Sequence, residues 1–105
     1  MLKFILAYHG VPTFDSPESS EQHMKDWRAW SESLGSAVVD PGTPVGMSKT
    51  ISANGVEGNG GSNPLSGITV LQAASMEEAI TMTENCPHIL SGGTIEIAQA
   101  IELDN

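Results

Sequence analysis

The residues of this chain best suited to proton transfer lie in one helical segment around His23. Trp27 and Trp30 follow His23 at helical spacing and share one face of the predicted helix with it. A histidine exchanges protons near neutral pH and therefore suits a general acid or base. Its ring could be oriented by Asp26, which lies three residues further on, or by Asp40, which ends the second predicted strand. The alternative is that His23 is a capping or half-buried surface residue in the first turn of the helix.

A second group of reactive side chains, Cys86 and His88, lies near the predicted end of another helix, on either side of Pro87. A thiolate beside an imidazolium is a nucleophile, because the positive ring lowers the pKa of the thiol. Helix C-terminal carbonyls disfavour a negative sulfur, however, and a buried free cysteine is common in protein cores. We therefore favour substrate contact or core packing for Cys86. His88 either contacts substrate or complements the negative end of the helix.

The aromatic residues Tyr8, Trp27 and Trp30 are candidates for holding a ring-shaped ligand. Tryptophans at helical spacing are more often core residues, so packing is the competing interpretation. His9 follows Tyr8 and points to the opposite face of the predicted strand. The three histidines form no pair with metal-ligand spacing and Cys86 is the only cysteine, so we expect no metal site and no other cofactor.

Periodicity predicts the elements that position these residues in the order β-α-β-β-β-α-β. The predicted strands cover residues 2–8, 36–40, 46–53, 67–74 and 94–101, and the predicted helices cover residues 21–34 and 75–86. Ser75 and Glu78 form a capping box for the second helix. If 36–40 and 46–53 are neighbouring strands separated by the turn DPGTP, this order is the split βαβ plan of a ferredoxin-like α+β fold.

Both helices of that plan cover one face of the antiparallel sheet and leave the other face open. Five apolar or semi-apolar strands would expose a large apolar surface to water, so we expect a homodimer that buries it. The chain of 105 residues has the length of a single domain, and we expect one core and no second domain.

Charge excludes several classes of partner. Thirteen acidic residues and four basic residues give a net charge of -9. Nucleic acids and anionic membranes bind clustered lysines and arginines, whereas the four cations of this chain are scattered. We therefore expect neither nucleic acid nor membrane as a partner. The single cysteine, the absence of a long apolar run and the short apolar N-terminus predict a cytoplasmic protein.

Five segments that cover almost the whole chain carry a family resemblance: KFILAYHG, EQHMKDWRAWSESLG, DPGTPVG, SGITVLQAASMEEAI and ENCPHILSGGTIEIAQAI. In this order they resemble the YCII-related family, particularly its DGPF-like branch. The resemblance implies a dimeric α+β barrel, in which two ferredoxin-like sheets pack face to face around a cavity. It also implies a catalytic histidine, matched here by His23. The family aspartate that precedes a proline is replaced by Cys86, so this position supplies no aspartate for a histidine–aspartate pair.

The superfamily that this resemblance implies includes muconolactone isomerases and metal-free monooxygenases, and one YCII relative removes hydrogen chloride from an aromatic ring. We therefore expect a cofactor-independent enzyme of lyase or isomerase type that acts on a small cyclic or aromatic molecule. In this hypothesis His23 carries the proton, in the barrel cavity, and Asp26 or Asp40 orients its ring. Two alternatives stay open: a non-catalytic module that binds a small molecule, and a dimerisation domain without a ligand.

Overall fold

The computed structural model describes residues 1–10, 16–58 and 63–101 of the chain. In chain order the elements are β1 (Leu2–His9), α1 (Pro17–Leu34), a 3-10 turn (Gly35–Ala37), β2 (Val38–Pro44), β3 (Lys49–Ser52), β4 (Gly55–Gly58), β5 (Leu65–Ala73), α2 (Met76–Thr83), α3 (Pro87–Leu90) and β6 (Thr94–Gln99). Strands β2, β5, β1 and β6 form, in that order, a four-stranded antiparallel sheet. The predicted α+β class is confirmed.

The helices pack on one face of this sheet. Alternation along β1 directs Phe4, Leu6 and Tyr8 to that face, and all three side chains are buried. From α1, Trp30 packs with Leu6 and Tyr8, and from α2, Ala79 packs with Phe4. The core therefore lies between β1 and its neighbouring strands on one side and the two long helices on the other.

Helix α1 begins four residues before its predicted start. Ser16 caps it, since its hydroxyl accepts a hydrogen bond from the Ser19 N–H, and Pro17 occupies the first helical position. Proline is favoured there because that N–H has no helical partner. Among the described residues, no helix is both long enough and apolar enough to cross a membrane.

The predicted second helix is divided in two. Its predicted cap is confirmed, because the Ser75 hydroxyl accepts a hydrogen bond from the Glu78 N–H. Helix α2 ends at Thr83, however, and Cys86 precedes the short helix α3, which begins at Pro87. The prediction of one helix over 75–86 that Pro87 terminates is therefore wrong, since proline here starts a helical turn.

The prediction that residues 46–53 form a strand of the main sheet is wrong. Strand β3 pairs only with β4 in a separate two-stranded hairpin, in which Ile51 lies opposite Val56. Both side chains are exposed, at 78% and 61%. The main sheet therefore has four strands instead of five.

Strand β2 begins at Val38, after the 3-10 turn, and extends through the predicted turn DPGTP. The Asp40 carboxylate accepts a hydrogen bond from the Gly42 N–H at 2.8 Å, and the register with β5 shifts on either side of Asp40. Gly42 has a φ of 71°, and a Cβ there would lie 1.8 Å from the Ile68 carbonyl oxygen. The turn residues thus produce a bulge in the strand and do not end it.

In the described part of the chain, no helix covers the opposite face of the sheet. Its centre is apolar and consists of Ile5, Ala7, Ile68, Val70 and Ala98, which neighbour one another through the β1 register. Ile5 is 42% exposed and Ile68 is 39% exposed. We call this surface the open face.

Candidate functional site

A pocket of about 340 Å³ opens between α1, α3 and the end of the sheet at which β1, β2 and β5 meet. Residues of five elements form its walls: His23, Met24 and Trp27 from α1, Tyr8 from β1, Thr69 from β5, Pro41 and Pro44 from β2, and His88 from α3. Its volume lies within the range of small-molecule sites, and apolar or aromatic side chains dominate its lining. Tyr8 and Thr69 belong to the helix-covered face, and Ile68 of the open face also lines the pocket. A single chain thus forms the pocket, without the second sheet of the cavity that the family resemblance implies.

Four aromatic rings meet edge to face around this pocket. The Tyr8 and Trp27 ring centroids are 5.2 Å apart at 82°, and Trp27 and Trp30 are 5.4 Å apart at 87°. His88 meets Tyr8 at 5.5 Å and 68°. Trp30 does not line the pocket and belongs to the core, where its indole N–H donates to the Met82 carbonyl at 3.0 Å. Such contacts hold the rings in place and give the pocket a defined shape.

Hydrogen bonds fix the tautomer of His23. The Trp27 indole N–H donates to His23 Nε2 at 2.8 Å. An indole N–H is only a donor, so Nε2 is unprotonated and the neutral ring carries its proton on Nδ1. Nδ1 therefore donates to the Ser91 hydroxyl, 3.2 Å away. In this arrangement the basic nitrogen of His23 is already occupied by Trp27.

The surroundings of His23 keep its ring neutral. Burial lowers the pKa of His23 below 6.5, the positive form of His88 lowers it further, and the charge of Asp26 opposes both. Protonation at Nε2 would also break the bond from Trp27. The site thus favours a neutral imidazole at neutral pH.

The two acids predicted to orient His23 make other described contacts. Asp26 accepts a hydrogen bond from the Gln22 side chain at 2.9 Å, and Asp40 accepts one from the Gly42 N–H. Neither acid lines the pocket. The described hydrogen bonds that orient the His23 ring come instead from Trp27 and Ser91, and nothing in the local sequence around Ser91 indicates this contact.

Cys86 is fully buried in the core, in one cluster with Leu6, Trp30 and Leu71. Burial raises the pKa of Cys86 to about 11, although the backbone N–H groups of His88 and Ile89 partly offset this effect. Its thiol therefore stays protonated near neutral pH, and Cys86 does not line the pocket. The geometry agrees with the packing interpretation of this residue.

His88 is 4% exposed and lines the pocket from α3. Its Nε2 lies 2.7 Å from the backbone carbonyl oxygen of His9. A carbonyl only accepts, so His88 carries a proton on Nε2. Gly93 packs so closely against the ring that a Cβ there would lie 2.2 Å from Nε2.

The hydroxyl of Tyr8 belongs to a chain of hydrogen bonds. It donates to Thr69 Oγ1 at 2.8 Å, and Thr69 Oγ1 donates to the Pro41 carbonyl at 3.0 Å. Burial raises the pKa of Tyr8, while the Thr69 bond and the nearby Cys86 exert smaller effects. Tyr8 is therefore a neutral phenol whose proton is engaged inside the protein.

Within residues 1–10, 16–58 and 63–101, no group of three or more His, Cys, Asp or Glu side chains is arranged to hold a metal ion. Comparison of the chain with protein-family models, with curated proteins and with solved structures gives no match. The resemblance to the YCII-related family stays a prediction, and the function must be argued from the pocket itself.

Proposed function

We propose that this chain binds a small ring-shaped organic molecule in the pocket between α1, α3 and the sheet. The observation that carries the proposal is the pocket of about 340 Å³, on which the rings of Tyr8, Trp27 and His88 converge. Edge-to-face packing positions these rings before any ligand arrives, which reduces the entropy lost on binding.

Ligand-observed NMR with a panel of small cyclic and aromatic compounds tests this proposal. The variant Met24→Trp enlarges a side chain that lines the pocket, and we expect it to abolish binding. The matched control is Met47→Trp, because Met47 is 88% exposed and lies outside the pocket. Binding that survives Met24→Trp unchanged, or that Met47→Trp removes equally, would contradict the proposed site.

The second candidate function is proton transfer on such a ring, by elimination or isomerisation and without a cofactor. Its support is the placement of two histidines, His23 and His88, on one largely apolar pocket. His23 can act as a base through Nε2 only after Trp27 releases that nitrogen. A ligand that displaces the Trp27 indole would release Nε2. Turnover that persists unchanged in His23→Gln would exclude His23 as the base.

We also propose a ferredoxin-like fold that forms a homodimer through the open face. Support comes from the strand order β2-β5-β1-β6, with α1 between β1 and β2 and α2 between β5 and β6. The apolar centre of the open face gives the second copy its reason to bind. Packing two open faces together would produce the dimeric α+β barrel, with the proposed pocket on the helix side of each sheet.

Sedimentation velocity tests this dimer. Replacing Ile5 at the centre of the open face by lysine should convert the dimer to monomer, because it places an unpaired charge in the interface. Ile51→Lys is the matched control, since Ile51 is exposed on the separate hairpin and should leave the dimer intact. A wild-type protein that sediments as a monomer at micromolar concentration would refute the dimer.

A cytoplasmic location is supported by the buried, unpaired Cys86, which a reducing compartment suits. The net charge of -9 supports a small organic ligand and a second copy of the chain as partners, in place of nucleic acid or an anionic membrane.

A further inference from the structure

One ring nitrogen of His88, a residue that lines the pocket, has a hydrogen-bonding capacity that the described residues leave open. His88 Nε2 donates its proton to the His9 carbonyl, so the neutral ring has an acceptor lone pair at Nδ1. No described residue donates a hydrogen bond to that nitrogen. Although the side chain is only 4% exposed, Nδ1 itself is not sealed from solvent, so a ligand in the pocket can supply a donor in place of water.

His88 cannot easily turn this nitrogen away. The Nε2 bond to His9 spans 79 residues of sequence and ties the ring to the end of β1. The ring meets Tyr8 at an angle of 68°, and Gly93 packs against its Nε2, Cδ2 and Cε1 atoms. The acceptor is therefore held in a fixed orientation before a ligand binds.

Most of the other polar groups of the pocket are already engaged, whereas the Ser66 hydroxyl, which also lines the pocket, is buried and has no described partner. The Tyr8 proton goes to Thr69, the Thr69 proton goes to Pro41, and the neutral His23 ring uses both nitrogens on Trp27 and Ser91. No lysine or arginine lines the pocket in the described part of the chain. A carboxylate placed here would thus lose its hydration without gaining a cation.

We propose that His88 Nδ1 is the acceptor that selects a neutral ring bearing a hydroxyl or N–H donor, such as a phenol, over a purely apolar ring and over an aromatic acid. This inference rests on the proposed function, because it assumes that the pocket binds a ring. It adds the chemical class of the ligand and the residue that recognises it.

Binding of phenol, toluene and benzoate tests the proposal, since phenol and toluene have nearly the same shape and differ in the donor. We expect phenol to bind about five- to tenfold more tightly than toluene, the difference that one hydrogen bond supplies, and benzoate to bind most weakly. The readout is the dissociation constant from ligand-observed NMR.

The variant His88→Gln separates recognition from folding. The glutamine amide can still donate to the His9 carbonyl, but it places no ring acceptor toward the pocket. Phenol should lose its advantage over toluene in this variant. His9→Gln is the matched control, because the His9 side chain lies outside the pocket, and it should keep the preference.

A second readout uses the wild-type protein and does not depend on any variant folding. In a long-range ¹H–¹⁵N spectrum, phenol should shift the His88 Nδ1 resonance, and toluene should leave it nearly unchanged. Toluene binding as tight as phenol, benzoate binding tightest, or a phenol preference that persists in His88→Gln overturns this inference alone. Failure of all three compounds to bind overturns the proposed function together with it.

Discussion

The α1 wall and the α3 wall of the pocket each carry a histidine, but the two rings use their nitrogens in opposite ways. On α1, His23 accepts from Trp27 through Nε2 and donates to Ser91 through Nδ1. On α3, His88 donates through Nε2 to the His9 carbonyl and keeps Nδ1 as an acceptor. Proximity to a pocket therefore says less about the role of a histidine than the partners of its two nitrogens do. The comparison makes His23 a support for Trp27 and His88 the group that meets the ligand.

The largest expected effect follows from crowding His88. Gly93→Ala places a methyl group 2.2 Å from His88 Nε2, so the ring must move and its bond to His9 must weaken. We expect a loss of about 1–3 kcal/mol in the free energy of unfolding, which is typical of overpacking, and loss of the phenol preference. Urea denaturation measures the first effect.

Gly46→Ala is the matched control for this substitution. A Cβ at Gly46 meets no atom within 4 Å, so the change in stability should stay within about 0.5 kcal/mol. If Gly93→Ala unfolds at the same urea concentration as the wild type, the ring of His88 is not held as described.

A smaller effect should follow from freeing His23. Trp27→Phe keeps an aromatic ring but removes the donor to Nε2, so we expect a loss of about 1 kcal/mol in stability. The pKa of His23 should rise, because the bond to the neutral form is gone, while burial and the positive form of His88 continue to hold it down. An NMR titration of the His23 ring protons measures this change.

Trp30→Phe provides the comparison for this prediction. Trp30 donates to the Met82 carbonyl and not to His23, so the substitution should affect stability without raising the pKa of His23. Equal pKa values for His23 in the wild type and in Trp27→Phe would show that the hydrogen bond from Trp27 does not lower the pKa of His23.

The smallest expected effect is the dependence of stability on pH. The pKa of His23 is lower in the folded chain than its ordinary value of 6.5, owing first to burial and then to His88, with Asp26 opposing. The unfolded chain therefore binds this proton more readily, so the contribution of His23 is complete above pH 6.5 and declines as pH falls through the folded pKa. Urea unfolding at pH 7 and pH 5 should show a smaller loss in His23→Gln than in the wild type.

The sequence predicts much of the scaffold because local periodicity determines it. Alternation in β1 and β5 and the helical stripe of His23 and Trp27 appear directly in the residue order. The DPGTP segment misled the prediction, because its turn residues form a bulge inside β2, where Gly42 lets the chain approach β5 closely.

The different hydrogen-bonding roles of His23 and His88 could not be predicted from sequence. The tautomer of His88 depends on the His9 carbonyl, 79 residues away, and that of His23 depends on Trp27 together with Ser91, 68 residues away. These contacts exist only after the sheet has brought β1, α1 and α3 together. Sequence spacing placed His23 beside its aromatic neighbours, but it favoured Asp26 and Asp40 as partners and gave His88 no acceptor role.

The ring tautomers of the two histidines test this account most directly. A long-range ¹H–¹⁵N spectrum at neutral pH distinguishes protonated from unprotonated ring nitrogens in each residue. The structure predicts His88 with its proton on Nε2 and His23 with its proton on Nδ1. A spectrum in which His88 carries its proton on Nδ1 would contradict the account, because the pocket would then present a donor to its ligand in place of an acceptor.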